Sequence, residues 1–256
     1  MHKALNTSEI EQLEMFRFAT KLESSELSIE LHSLQDETVL LHYLENLGPH
    51  IGSPNVKVTS SIFVKRYAFL AVIYLYALTA WNKKLDVSFE NVILQTKMEE
   101  EAWLPTFYFK NLGVKEAPQD RRQWRDEALK ELFSDHIHVL INRLSKVTKQ
   151  SQQILWENIS LYIFWLYETV LSKTVDAELL NRGNQDFHYL VQEATGTVFG
   201  NHPVNPIKRF YENKRDNHEL QEEVRVRKTC CLTYLLKGKK KFCKTCPLMN
   251  KSRRNS

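Results

Sequence analysis

The sequence predicts a helix-dominated α+β protein: several packed helices, a small β-hairpin or sheet, and a short C-terminal segment carrying all the cysteines. Three observations carry this. Gly and Pro are scarce, at seven each in 256 residues, which disfavours a turn-rich sandwich or barrel. Apolar residues recur at helical spacing over most of the chain. In one stretch, from Leu85 to Phe109, the period drops to two.

The elements follow in order. Ser8-Glu9-Ile10-Glu11 reads as a capping box opening a first helix, with Ile10, Leu13, Phe16 and Leu22 on its apolar face. Glu37 to Leu47 is a second, short helix ended by Gly48-Pro49. Residues Asn55 to Phe63 are rich in Val, Thr, Ser and Ile and read equally as a short strand or as the approach to a helix. Val64 to Asn82 is apolar nearly all round, the mark of a central helix. Leu85, Val87, Phe89 and Ile93, then Trp103, Pro105, Phe107 and Phe109, alternate with other residues as the arms of a hairpin, with Pro105 either placing the second arm at an edge or delaying its start. A stripe from Trp124 to Leu144, a second from Ile154 to Val170 and a third helix from Asp176 to Ala194 follow. Gly196, Gly200, Pro203 and Pro206 mark a loop, Ile207 to Phe210 a short helix, and Lys251 to Ser256 a frayed end.

Composition narrows the function classes. Met1 to Gln12 has no apolar run, so no secretory signal is expected. The longest apolar stretch, Ala68 to Trp81, is short for a transmembrane helix and suits a buried one. The expected compartment is the cytoplasm, where clustered cysteines point to metal or redox chemistry. The formal charge of +4 hides an asymmetry: Val224 to Ser256 holds 11 Lys or Arg and no acid, whereas the rest holds 24 basic and 31 acidic residues. This divides the chain into a helix-rich body, 1–223, and a basic C-terminal segment, 224–256. No phosphate-binding loop and no dinucleotide fingerprint occurs, so electrons are expected from another protein.

The four cysteines, Cys230, Cys231, Cys243 and Cys246, fall within 17 residues as C-C-x11-C-x2-C. Four thiolates hold either an iron–sulfur cluster or zinc. Adjacent cysteines in an extended chain point apart. A two-iron cluster tolerates this because its ligands need not converge on one atom. Zinc prefers a C-x2-4-C knuckle on each side, and here one arm has no spacer. A thioredoxin-like reading of Cys243 and Cys246 lacks its βαβ context.

The Cys-Cys…Cys-x-x-Cys-Pro-Leu run resembles the ferric-siderophore reductase family typified by FhuF. Phe63 to Tyr67, Leu75 to Thr79, Asn91-Val92, Asp186-Phe187, Phe199-Gly200 and Asn205-Pro206 resemble the family's body more weakly. The resemblance implies a [2Fe–2S] cluster on Cys230, Cys231, Cys243 and Cys246. The family's usual gap is ten residues and here it is eleven, an insertion expected to be absorbed near Gly238. It implies an oxidoreductase that reduces ferric siderophores, or related Fe(III) chelates, by one electron and releases Fe(II). Its partners are then the chelate and an external electron donor such as a ferredoxin, a flavodoxin or a reductase. No nucleic-acid partner is expected, and peripheral association with the inner membrane is left open. Lys65 and Arg66, two cations opening an apolar helix, and Lys239 and Lys240, in the basic run, are the candidate chelate contacts; solvated or snorkelling roles compete for each.

Other features carry less. His136 and His138 at i and i+2 point apart on a helix and read as surface or boundary residues. Trp156, Tyr162, Trp165 and Tyr167 follow the apolar spacing of their helix and read as core before they read as a stacking platform for an aromatic siderophore. The rival reading is a zinc-stabilised basic module that binds nucleic acid or protein without enzymatic activity. The tail offers it few aromatic residues, Tyr234 and Phe242.

Overall fold

A computed structural model describes residues 3–23, 25–96, 102–217, 221–239 and 242–249. Lys240 and the end from Lys251 to Ser256 lie outside these residues. The architecture is α+β and dominated by helices, as the composition predicts. Its axis is α3, Val56–Trp81, a 26-residue helix with Asn55 as its N-cap. The Val/Thr/Ser stretch from Asn55 to Phe63 is therefore helix rather than strand. Packing on every side overrides its β-branched composition. By length and composition α3 is apolar enough to cross a membrane, but most of it is buried inside this fold.

The other helices surround it. They are α1 (Thr7–Glu14), α2 (Glu37–His50), α4 (Arg121–Leu132), α5 (Val139–Thr148), α6 (Gln152–Trp165) and α7 (Ala177–His188). The cap of α1 is Asn6, not Ser8: the Asn6 side chain accepts from the Glu9 amide, and Glu9 accepts from the Asn6 amide. Leu22 lies beyond this helix and is exposed. Helix α2 runs on through Pro49, because Gly48 and Pro49 sit in a last turn that still satisfies the Ile51 amide. Three helices end in π-helical turns, Phe133–His138, Leu166–Val170 and Tyr189–Glu193. The long stripes read from the sequence are thus interrupted, and the period shifts without losing the apolar face.

The hairpin is real and shorter than the alternation suggests. Strands β5 (Val92–Gln95) and β6 (Thr106–Phe109) pair antiparallel, Val92 opposite Phe109. They are flanked by β2 (Phe18–Ala19), parallel to β6, and β3 (Ile29–Glu30). Leu85 belongs to a different sheet. There β4 (Lys83–Leu85) and β1 (Lys3–Ala4) both pair with β7 (Gly113–Glu116). Strands β8 (Arg215–Asn217) and β9 (Glu222–Val224) form a ribbon leading to the cysteines.

His136 is a correction to the sequence reading. It is 2% exposed, stacked on Phe89 at 4.1 Å, with Nε2 2.5 Å from the Tyr67 hydroxyl. The π turn rotates it inward. His138 instead meets His202, Nδ1 to Nε2 3.0 Å. Phe69 packs on both Tyr162 and Trp165, and Tyr167 stacks on Phe187, so these rings are packing residues.

Burial pushes His136 down to about 3. Between that value and the ordinary 6.5 the unfolded chain binds a proton that the folded chain refuses. The stabilisation is complete above pH 6.5 and is lost as pH falls, by up to about 1.4 kcal/mol per pH unit. His138 and His202, also lowered by burial, act in the same direction. A His136→Gln variant should therefore lose less stability than the parent between pH 6.5 and 5, by about 2 kcal/mol in urea unfolding. Equal losses in the two proteins would contradict the buried neutral imidazole.

Candidate metal centre

The cysteine segment is fastened to the body by a knot of buried polar groups. Glu157 and Asn158 sit in the middle of the apolar stripe of α6, 1% and fully buried. Glu157 accepts the amides of Lys228 at 2.6 Å and Thr229 at 2.9 Å, together with the Thr229 hydroxyl. Arg227, 4% exposed, pairs with Glu157 at 3.4 Å and donates to Asn158 at 2.7 Å and to the Thr229 carbonyl at 3.0 Å. Asn158 in turn donates to the carbonyl and hydroxyl oxygens of Ser61 on α3. The Ser61 hydroxyl donates to the Cys231 carbonyl at 2.8 Å. A buried ion pair is tolerated only when its remaining hydrogen-bonding groups are satisfied, and here the ligand segment supplies the partners.

The backbone beyond the knot turns sharply. Leu232 adopts a left-handed conformation, φ 64°, and its amide donates to Cys230 Sγ at 3.4 Å. The second arm closes with the Cys246 amide on the Cys243 carbonyl, 2.9 Å, and returns to the first through the Arg227 amide on the Thr245 carbonyl. Gly238, in the loop between the arms, has φ 78° and open space at its Cβ position.

The four sulfurs meet in two pairs. Cys230 and Cys246 are 3.8 Å apart, and Cys231 and Cys243 are 3.9 Å apart. Two thiolates sharing a tetrahedral metal at about 2.3 Å sit about 3.8 Å from each other. Each pair therefore has the bite of one metal ion. Among the described residues, no three His, Cys, Asp or Glu side chains are grouped to hold a single ion. The arrangement fits a centre with two metals and two protein thiolates on each. It does not fit one tetrahedral zinc held by all four. Each pair joins a buried sulfur, Cys246 or Cys231, to a half-buried one, Cys230 or Cys243.

Electrostatics separate the thiols. Donation from Cys243, assisted by Lys65 and Arg227 nearby, holds Cys231 down at about 4. Cys243, as the donor, is pushed up by that bond and by burial, and burial pushes Cys230 up to about 11. Lys65 Nζ lies 3.9 Å from Cys231 Sγ and 3.3 Å from Thr233 Oγ1.

A cleft of about 440 Å³ opens beside this centre. Lys65, Arg66, Lys237 and Lys239 line it, with Thr233 and Trp103. Three of the four candidate contact residues are thus on one wall system, and the fourth, Lys240, is outside the described residues. Lys237 is placed by its amide, which donates to the Gly52 carbonyl at 2.8 Å. Gly52 has φ 66°, and a Cβ there would stand 2.9 Å from Lys237 Cβ, so only glycine allows this approach. Sequence reasoning missed Glu157, Asn158 and Ser61. Their signal was polarity inside otherwise apolar helices.

Comparison with known families places these observations. Residues 61–213 match the family model described as ferric iron reductase FhuF-like transporter, and residues 227–248 match the FhuF 2Fe-2S C-terminal domain. All four cysteines lie within the second match. Comparison with curated proteins finds no match.

Removing Glu157 should release the segment. Glu157→Ala leaves the buried Arg227 without its carboxylate and the Lys228 and Thr229 amides without their acceptor, a loss of about 3–5 kcal/mol in urea unfolding. Hydrogen exchange should show protection lost at Lys228 and Thr229 while α3 stays protected. A variant within about 1 kcal/mol of the parent, with both amides still protected, would contradict the knot.

Proposed function

The chain belongs to the ferric iron reductase FhuF-like family and carries that family's 2Fe-2S C-terminal domain, and we propose that it releases iron from ferric siderophores in the cytoplasm by one-electron reduction. The observation that supports this most is the juxtaposition of two paired-sulfur sites with a cationic cleft. In this reading Cys230 with Cys246, and Cys231 with Cys243, would hold the two irons of the cluster. The cluster supplies the single electron. Every other task falls to the protein.

Lys65, Arg66 and Lys239, with Lys237, receive the oxygen-rich chelate in the cleft. Lys240 is retained as a candidate contact from its place in the same basic run. The Nε of Arg66 is buried and, among the described residues, has no hydrogen-bond partner. Fe(III) prefers hard oxygen donors, and Fe(II) binds them far more weakly, so electron transfer alone discharges the metal. The knot on Glu157 keeps the ligand segment against α3, which fixes the distance from centre to cleft. Electrons enter from an external donor protein at the half-buried side, near Cys230 and Cys243. The body, 1–223, supplies one wall of the chelate dock, and the basic segment, 224–256, supplies the other wall and carries the electron.

The test is anaerobic mixing of the dithionite-reduced, desalted protein with an Fe(III) siderophore and a chromogenic Fe(II) trap. One trapped Fe(II) per chain is expected in a single turnover. Arg66→Ala should weaken chelate binding about tenfold, equivalent to 1.4 kcal/mol, and Cys243→Ser should abolish the electron transfer. Fe(II) yields unchanged in Cys243→Ser would exclude this centre as the electron source.

A further inference from the structure

We propose that Lys65 couples occupancy of the cleft to the redox potential of the cysteine-bound centre. The inference rests on the cleft being the chelate dock. Lys65 faces two ways. Its ammonium lies 3.9 Å from Cys231 Sγ and 3.3 Å from Thr233 Oγ1, and the same side chain lines the cleft. Ser61, one turn earlier on α3, donates to the Cys231 carbonyl at 2.8 Å. Residues four apart share a helix face, so one face of α3 holds both the backbone and the sulfur of this ligand. Cys231 is 1% exposed, and a charge beside it acts with little screening by solvent.

The ammonium has three donors but one position. A chelate entering the cleft offers it oxygen acceptors. Drawn toward them, Lys65 withdraws positive charge from Cys231. The reduced centre carries one more negative charge than the oxidised one and loses more by this withdrawal. Binding of the chelate therefore lowers the potential. By linkage the oxidised protein binds the chelate more tightly than the reduced protein does. The centre becomes a stronger reductant when its substrate is in place and a weaker one when the cleft is empty. Each event moves one electron: the centre is oxidised by one, and chelated Fe(III) becomes Fe(II). Lys65 keeps its protons throughout.

Arg66 supplies the control. It lines the same cleft, but among the described residues no hydrogen bond joins its Nε to a cysteine. The experiment is a spectroelectrochemical titration of the holoprotein, Lys65→Met and Arg66→Met, with and without a charge-neutral gallium(III) trihydroxamate. Gallium is redox-inert, and neutrality removes a direct field of the ligand. Saturation is followed by tryptophan fluorescence, since Trp103 lines the cleft.

The potential of the parent should fall by about 59 mV on saturation, which corresponds to tenfold tighter binding by the oxidised form. Lys65→Met should rest below the parent and stay unmoved by the chelate. Arg66→Met should rest with the parent, need more chelate, and fall once saturated. Saturation of the parent without a shift, or a parental shift in Lys65→Met, overturns the coupling alone. If the trihydroxamate does not bind, gallium tris-catecholate is the probe, and the difference in shift between the parent and Lys65→Met decides. If neither binds, the cleft reading falls and the coupling falls with it.

Discussion

The buried ion pair between Glu157 and Arg227 is the constraint on which the centre depends. A carboxylate and a guanidinium away from water are costly unless every remaining donor and acceptor is used. Here the unused valences of Glu157 are met by the amides and hydroxyl of the ligand segment itself. The segment therefore cannot leave without exposing the pair, and the pair cannot be satisfied without the segment. Asn158 and Ser61 extend the same logic to α3, so the carbonyl of Cys231 is held by the most buried helix of the fold. A centre anchored in this way keeps a fixed position against the cleft.

Adjacent cysteines pose a geometric problem that the fold answers by pairing across arms. Cys230 and Cys231 do not share a partner; each finds its counterpart on the second arm, the outer with Cys246 and the inner with Cys243. The left-handed Leu232 turns the chain directly after the pair. The basic character of the segment also resolves into parts. Lys228 pairs with Glu212, Arg225 with Glu168 and Lys244 with Glu222. Lys237 and Lys239 instead line the cleft. A run of like charge in the sequence is thus divided between ion pairs that hold the segment to the body and cations that line the cleft.

Much of this was legible in the residues. Scarce Gly and Pro and a repeated helical period were enough for the fold class, and the spacing of four cysteines was enough to single out the centre. What stayed hidden has physical causes. The strand-like composition of Asn55 to Phe63 was outweighed by burial on all sides of α3. The π turns move His136 from a boundary position into the core, and a period count does not register them. Pairing of Leu85 with Val114 rather than within the hairpin depends on a long-range register. Glu157 and Asn158 break an apolar stripe in the sequence, but their partners lie 70 residues on, at Arg227 to Thr229, and only folding brings them together.

The central claim is that the paired sulfurs hold two irons. The most direct measurement is a Mössbauer spectrum of protein loaded with iron-57, taken before and after one-electron reduction, with iron, sulfide and zinc quantified. The account predicts two irons and two sulfides per chain, all ferric when oxidised, with half of the iron becoming ferrous on reduction. A colourless protein with one zinc per chain, or a centre with four irons, would contradict it.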